Sequence, residues 1–281
     1  MCMGFGCNAA GVIGCRIIDS PREKLISIIT NAFVPCNGRF PFLITIAMIF
    51  FAGGLSSGLA SVVSTLAVMV VVLIGIMLTF AISNILSKTI LKGVSSSFIL
   101  ELPPYRKPQI GKILFRSIFD RTLFVLARAI SVAAPAGIVI WIMANLQISD
   151  ISILTYVANF LDPFAKLMGL DGYILTAFIL GFPANEIVLP IILMCYMQTG
   201  VLVDMENTQS IGKILIENGW TWLTAINTMI FTLLHFPCST TTLSIKKESG
   251  SWKWTGVAFI LPTVIGIVFC MMTTFVAHIF I

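Results

Sequence analysis

The sequence predicts an all-α, polytopic transmembrane bundle with broken or re-entrant helices and an internal repeat. Three observations carry this expectation. Of the 281 residues, 58% are hydrophobic and only 10% are charged, where a soluble domain carries about 25% charge. Mean hydropathy is +1.02, more apolar surface than one soluble core can bury, so lipid is the natural solvent. Apolar runs near span length recur along the chain, and two pairs are interrupted by matching Gly, Pro, Cys and Asn residues. The length allows roughly six or seven spans of about 20 residues.

Residues 4–18 are apolar but short for a span, and the first residues lack the charged n-region of a cleavable leader. Ser20-Pro21-Arg22-Glu23 is a capping box with Pro at the first helical position, so an amphipathic helix starts there and runs to about Phe33, where Pro35 stops it. Residues 40–55 read as a first short span and residues 59–86 as a long one. Residues 88–121 form the main polar connection. Lys88, Lys92, Arg106, Lys107, Lys112, Arg116 and Arg121 stand there against Glu101 and Asp120, which makes the stretch cytoplasmic by the positive-inside rule. Each Pro of Leu102-Pro103-Pro104-Tyr105 biases its predecessor away from helix, so this is an extended corner.

Residues 122–146 read as a span outward. An external, weakly acidic stretch follows, with an interfacial helix around 151–161. Residues 172–197 read as a span back, interrupted by Pro183 and Pro190. Residues 222–236 form another short span, 237–253 a polar stretch and 254–281 the last span. Trp220, Trp222, Trp252 and Trp254 sit at segment ends, as interfacial anchors do. Counting spans from the basic connection puts the C-terminus inside and Lys246, Lys247 and Lys253 outside, against the charge rule, unless one broken segment is re-entrant. The net charge of +5 is modest, and no basic-aromatic stripe points to nucleic acid.

Gly4-Phe5-Gly6-Cys7-Asn8 is echoed by Gly181-Phe182-Pro183-Ala184-Asn185, and Pro35-Cys36-Asn37 by Pro237-Cys238-Ser239. Paired Gly/Pro interruptions in two halves are the sequence mark of a transporter's central site. A helix broken inside a bilayer frees N–H and C=O groups that lipid cannot satisfy, so such breaks belong against protein or a wet cavity. The bland alternative is a set of packing kinks.

Glu186 lies well inside an apolar segment. A carboxylate there costs about 2.5–3.5 kcal/mol to insert, so it faces a cavity, pairs with a cation or is protonated. Cys7, Cys36 and Cys238 sit at the breaks, and thiolates are soft ligands for late first-row metals; a free Cys also packs as a small hydrophobe. Cys15, Cys195 and Cys270 read as packing. The odd count of seven cysteines argues against a disulfide framework. Asn8 and Asn185 read as caps or carbonyl donors. His235 abuts the second Pro-Cys break as a ligand, a proton relay or simply a satisfied core histidine. The chain carries no Walker-type phosphate loop, no His-Glu-x-x-His and no nucleophile elbow, so it is expected to bind no nucleotide, hold no cofactor and catalyse no covalent chemistry.

These motifs, together with Glu101-Leu102-Pro103-Pro104-Tyr105-Arg106 and Glu248-Ser249-Gly250-Ser251-Trp252-Lys253-Trp254, resemble the membrane domain of ferrous iron transport protein B along nearly the whole chain. The resemblance implies a first gate (nucleoside-recognition-like) unit at 1–87, lacking its N-terminal part. The cytoplasmic basic connection follows at 88–121, and a second gate unit with the C-terminal span at 122–281. It implies a multi-pass Fe²⁺ importer of the bacterial inner membrane, coupled to a cytoplasmic GTP-binding domain. Small cytoplasmic Feo accessory proteins and a homo-oligomer are further implied partners. Cys7 and Cys36 match positions that line the iron path in that family. Cys238, Glu186 and His235 join them as candidate ligands, with Gly4, Gly6, Asn8, Pro35, Gly181, Pro183, Asn185 and Pro237 as the gate breaks. The sequence carries Asn185 where many members have Lys beside the Glu, and neither the GTPase domain nor the first membrane segment of the family is present, which suggests a fragment or half of a split system. The rival expectations are a transporter of another divalent metal or of a nucleoside, and a non-transporting membrane scaffold.

Overall fold

The computed structural model describes residues 2–53, 57–89, 109, 111, 115, 123–148, 151–202 and 207–280. Most of the basic connection 88–121, with its Pro-Pro corner, lies outside the described residues. Among the described residues the regular structure is helical, apart from a two-stranded antiparallel turn pairing Gln147 with Ser152 and Ile148 with Ile151.

A 3-10 turn (Cys2–Phe5) leads into α1 (Asn8–Gly14). Helix α2 (Pro21–Thr30) starts where the capping box predicts, with Ser20 Oγ accepting the Glu23 N–H at 3.4 Å. It tightens into a 3-10 turn (Asn31–Phe33) and stops before Pro35. Helices α3 (Phe40–Phe51) and α4 (Ser57–Lys88) complete the first half. The second half holds α5 (Phe124–Asn145), α6 (Ile153–Leu167), α7 (Gly172–Leu180), α8 (Val188–Met197), α9 (Thr208–Glu217), α10 (Trp222–Leu234), α11 (Ser239–Ser249) and α12 (Trp252–Phe280).

Among the described residues, two helices are long and apolar enough to cross a membrane: 58–88 in α4 and 252–279 in α12. The remaining apolar helices are shorter, and their pairing explains why. The expected spans 40–55 and 222–236 are each one arm of a broken rod. Helix α2 runs inward from one end of the bundle and α3 continues to the other end; α10 and α11 do the same. Each arm is about 15–20 Å long, half of an apolar core about 30 Å thick. The stretch 237–253, expected as a polar connection, contains the helical arm α11.

Side-chain contacts fix the two ends. At one, Arg16 and Lys24 meet Glu248, Arg22 Nη2 donates to Ser87 O at 3.0 Å, and Lys246 lies over Trp252. This is the basic end. At the other, Phe50 stacks on Trp220, Phe51 meets Trp222, and Asn145 Nδ2 donates to Gly200 O at 2.8 Å.

Two expectations need correction. Residues 172–197 do not cross the bundle. Helices α7 and α8 run antiparallel, because Tyr196 near the end of α8 donates to Asp171 at the start of α7 and its ring packs on Tyr173. The segment is a re-entrant hairpin with its tip at 182–186, returning to the end it left. The span count therefore shifts by one. Lys246, Lys247 and Lys253 join Lys88 at the basic end, α12 finishes at the opposite end, and the conflict with the charge rule disappears. Trp220 is also not an interfacial anchor: it is buried, with its indole N–H donating to Tyr196 OH at 2.8 Å.

With these directions the repeat is inverted. From a tip, α1 runs to the basic end and α8 to the opposite one. The broken pair α2–α3 runs against α10–α11, and long α4 against long α12. The packing follows the same two-fold logic: α2 touches α12 as α10 touches α4, and α3 and α11 each lie on the long helix of their own half. The interfacial helix α6 meets α7 at 110°. Gly172 makes the corner possible, since a Cβ there would lie 2.0 Å from Ala158 O. The main core gathers α3, α7, α8 and α10 around Phe42, Phe178 and Phe231, and a smaller one joins α1, α2 and α11 at the basic half.

Gly172→Ala should lower stability by about 3 kcal/mol, the cost of forcing a methyl against backbone, measured as a fall in thermal midpoint in detergent. In a cysteine-free background, Lys247→Cys and His278→Cys in sealed vesicles should react with an impermeant maleimide from opposite sides.

Candidate functional site

Four interruptions of helix meet in the middle of the bundle. Two are turns, at Cys7 before α1 and at Ala184 in the tip of the α7–α8 hairpin, with nearly identical backbone angles (φ −151°, ψ 123° and φ −151°, ψ 122°). Two are Pro breaks, where Pro35 and Pro237 lack an N–H and stop the helix before them. The freed backbone groups serve one another across the breaks. Asn37 N–H donates to Gly6 O at 3.2 Å, and Ser239 N–H to Phe182 O at 2.9 Å. Ser239 Oγ adds a bond to Pro183 O at 3.1 Å. A Cβ on Gly38 would lie 3.9 Å from the Glu186 N–H, so the first Pro break reaches both tips.

The carbonyls left at the ends of α2 and α10 converge on one side chain. Arg39 is 0% exposed. Its Nη1 donates to Ala32 O at 3.3 Å and Leu233 O at 2.9 Å, and its Nη2 to His235 O at 3.1 Å and Phe236 O at 3.3 Å. Its Nε has no partner, and among the described residues no carboxylate pairs with it. The balancing charge is the partial negative end of two helices arriving from opposite faces.

The candidate ligands divide between this centre and the surface. Asn185, at the second hairpin tip, stands between the two Pro breaks: its amide is 4.0 Å from Cys36 Sγ and 3.3 Å from His235 Nε2. His235 is buried among Phe178, Phe231 and Phe236. Its Nδ1 faces Phe231 O at 3.1 Å and Thr232 O at 2.9 Å, two acceptors toward which it turns an N–H, while its Nε2 faces the Asn185 Oδ1. Cys238 begins α11 and contacts Thr241 Oγ1 at 3.2 Å. Cys7 and Glu186 are exposed at the two tips. Glu186 thus does not pair with a buried cation. Among the described residues, no three His, Cys, Asp or Glu side chains converge as a metal cage. Asn185 occupies the space between the Cys36 and His235 ligand atoms.

Neither Asn8 nor Asn185 caps its helix. Each is the first helical residue, with its side chain turned across a break. The Asn8 amide, oriented to satisfy both acceptors, donates to Gly4 O at 3.0 Å and Val34 O at 3.2 Å. Asn31 Nδ2 returns a bond to Asn8 O at 2.9 Å, filling space that Gly4 and Gly11 leave open.

Sequence reasoning missed three contributors. Arg39 was given no role of its own. Gly75 of α4 and Gly266 of α12 pass the breaks closely: a Cβ would lie 2.9 Å from Phe33 O at the first and 3.0 Å from Leu234 Cβ at the second. A small residue in a long apolar helix was the available signal.

At the basic end, Glu248 of the second unit is held by the first. Its side chain is 4% exposed; Arg16 Nε donates to it at 2.8 Å, and Lys24 Nζ lies 3.8 Å away. The Arg16 hydrogen bond, with the charges of Arg16, Lys24 and Lys247, holds the Glu248 carboxyl below the usual glutamate range.

Comparison with known proteins adds to this geometry. The family described as "Nucleoside recognition" (Gate) matches residues 126–252, and "Ferrous iron transport protein B C terminus" matches residues 68–120. The chain is 31% identical to the Fe(2+) transporter FeoB of Staphylococcus aureus (strain MSSA476), over 100% of this chain and 40% of the relative. It is 28% identical to the Fe(2+) transporter FeoB of Methanocaldococcus jannaschii, over 90% of this chain and 37% of the relative. It is 25% identical to a Fe(2+) transport protein A/Fe(2+) transporter FeoB fusion protein of Porphyromonas gingivalis, over 90% of this chain and 34% of the relative. The chain thus spans about 40% of the length of the first curated relatives it matches. No solved structure matches it.

The depressed carboxyl of Glu248 fixes a sign. Its contribution to stability is present above the unfolded-state glutamate value and is lost as pH falls through the lower folded value. Glu248→Gln should therefore cost about 1 kcal/mol at neutral pH and flatten the acid limb of a midpoint-against-pH curve.

Proposed function

Because the chain belongs to the ferrous iron transport protein B family as its C-terminal membrane part, we propose that it forms the Fe²⁺-conducting domain of an uptake system in the bacterial inner membrane. The observation that supports this best is the meeting of four helix breaks around Cys36, Asn185 and His235. Irregular backbone at membrane depth, arranged as an inverted repeat, is the architecture in which ions and small solutes cross. Fe²⁺ accepts thiolate and imidazole together. His235 has one ring nitrogen held by carbonyls, as metal-ligating histidines do, and the other turned to the Asn185 side chain.

On this reading Cys7 and Glu186 receive the ion at the exposed tips, while Cys36 and His235, with Cys238 as a second thiol, bind it deeper. The Asn185 amide fills the ion's place in the present state, so binding requires the α7–α8 tip to withdraw. The basic end is cytoplasmic by the charge rule. A GTP-binding domain acts there, either from the part of the relatives outside this chain or in trans. The fusion with Fe(2+) transport protein A in one relative supports a small accessory partner.

Fe²⁺ uptake into proteoliposomes, with the GTPase partner supplied, tests the assignment. Cys7→Ser/Cys36→Ser should lower uptake at least about tenfold while leaving the size-exclusion profile unchanged. Equal uptake by the variant removes the site assignment, and competition by nucleosides in place of Mn²⁺ or Zn²⁺ changes the substrate class.

A further inference from the structure

In inverted-repeat transporters, unwound carbonyls and the C-terminal ends of half-helices are where a coupling monovalent cation binds. This chain has such a set: Ala32 O from the first unit, and Leu233 O, His235 O and Phe236 O from the second, at the ends of half-helices approaching from opposite faces. The two ends carry roughly half a negative charge each, about one charge together. The group that neutralises them is the guanidinium of Arg39. We propose that this carbonyl cage is a monovalent-cation site permanently filled by the tethered Arg39 cation, so that transport through the junction draws on no monovalent-cation gradient.

Three observations carry the inference. Arg39 is fully buried and bonds only to neutral carbonyls, so it occupies the position of an ion and not of an ion-pair partner. The cage fits a compact cation better than a five-donor fork, since the Arg39 Nε is buried without an acceptor. The repeat itself does not demand the charge: four residues after Pro35 stands Arg39, but four residues after Pro237 stands Thr241, which is buried and contacts Cys238. One cation therefore serves both units. The proposal rests on the transport reading, which it deepens by excluding one source of energy.

The test is a thermal titration of the purified chain in nanodiscs, at constant ionic strength made up with choline chloride. Wild type should show the same midpoint in sodium, potassium and choline. Arg39→Ala should melt lower and should recover about 3–5 °C, saturably, with guanidinium or sodium but not with choline. A folded Arg39→Ala whose midpoint ignores every small cation overturns the proposal, as does a wild-type chain that sodium stabilises. Should Arg39→Ala not fold, wild-type proteoliposomes decide. Fe²⁺ uptake at one rate under inward and outward sodium gradients upholds the filled cage, and a rate that follows the gradient overturns it. The titration needs no transport, so a chain that carries no Fe²⁺ sinks the transport reading while the melting curves still judge the cage.

Discussion

Every feature of this molecule answers one constraint: backbone polar groups released at membrane depth must find partners inside the protein, because lipid offers none. Four breaks release them, and they are brought to one place where each can serve another. Asn37 and Ser239 give their N–H groups to the hairpin tips, and Arg39 collects the carbonyls that remain. Apart from its neighbours, any one break is a cluster of unpaired dipoles in an apolar medium. Together they form a polar junction held by chain from both units, which is why the two halves fold around each other.

The inverted repeat follows from the same constraint. A hairpin tip presents loop amides and carbonyls, and a Pro break presents the end of a half-helix. The first Pro break bonds to the first tip and touches the second through Gly38, while the second Pro break bonds to the second tip and shares Asn185 with the first. Close approach needs small residues on the helices that pass behind, and Gly75 and Gly266 supply it. The two ends of the bundle are sealed differently. Aromatic rings close one, and the Glu248 cluster, a polar seam between units, closes the other.

Much of this was legible in the sequence because it is local. Ser20 to Glu23 started α2 as written, Pro35 ended it, and the echo of Gly4–Asn8 with 181–185 marked residues that share a backbone conformation. What could not be read was direction. An apolar stretch of span length with Pro183 inside is equally a kinked crossing or a hairpin, and only the contact of Tyr196 with Asp171 decides. Glu186 was read as facing a cavity, paired with a cation or protonated because its neighbours in sequence are apolar; it is exposed at the α7–α8 tip. His235 and Cys36 were singled out by residue type, and Asn185 between them was read as a cap or a carbonyl donor, since a cap and a cross-break bond look alike in one dimension. Arg39 escaped because an arginine near a span end ordinarily reaches for water.

The long helix α4 is a rigid rod of 32 residues, about 48 Å from end to end and longer than the apolar layer is thick. It touches the junction at its middle, where Gly75 lies against Phe33 O, and its basic end leads into the connection between the two halves. Lys88 stands 13 residues from that pivot, about 20 Å along the axis. Mechanically the rod is a lever: a tilt of about ten degrees at Gly75 carries its far end through about 3 Å. A push applied outside the bilayer is thereby delivered to the hydrogen bonds at its centre.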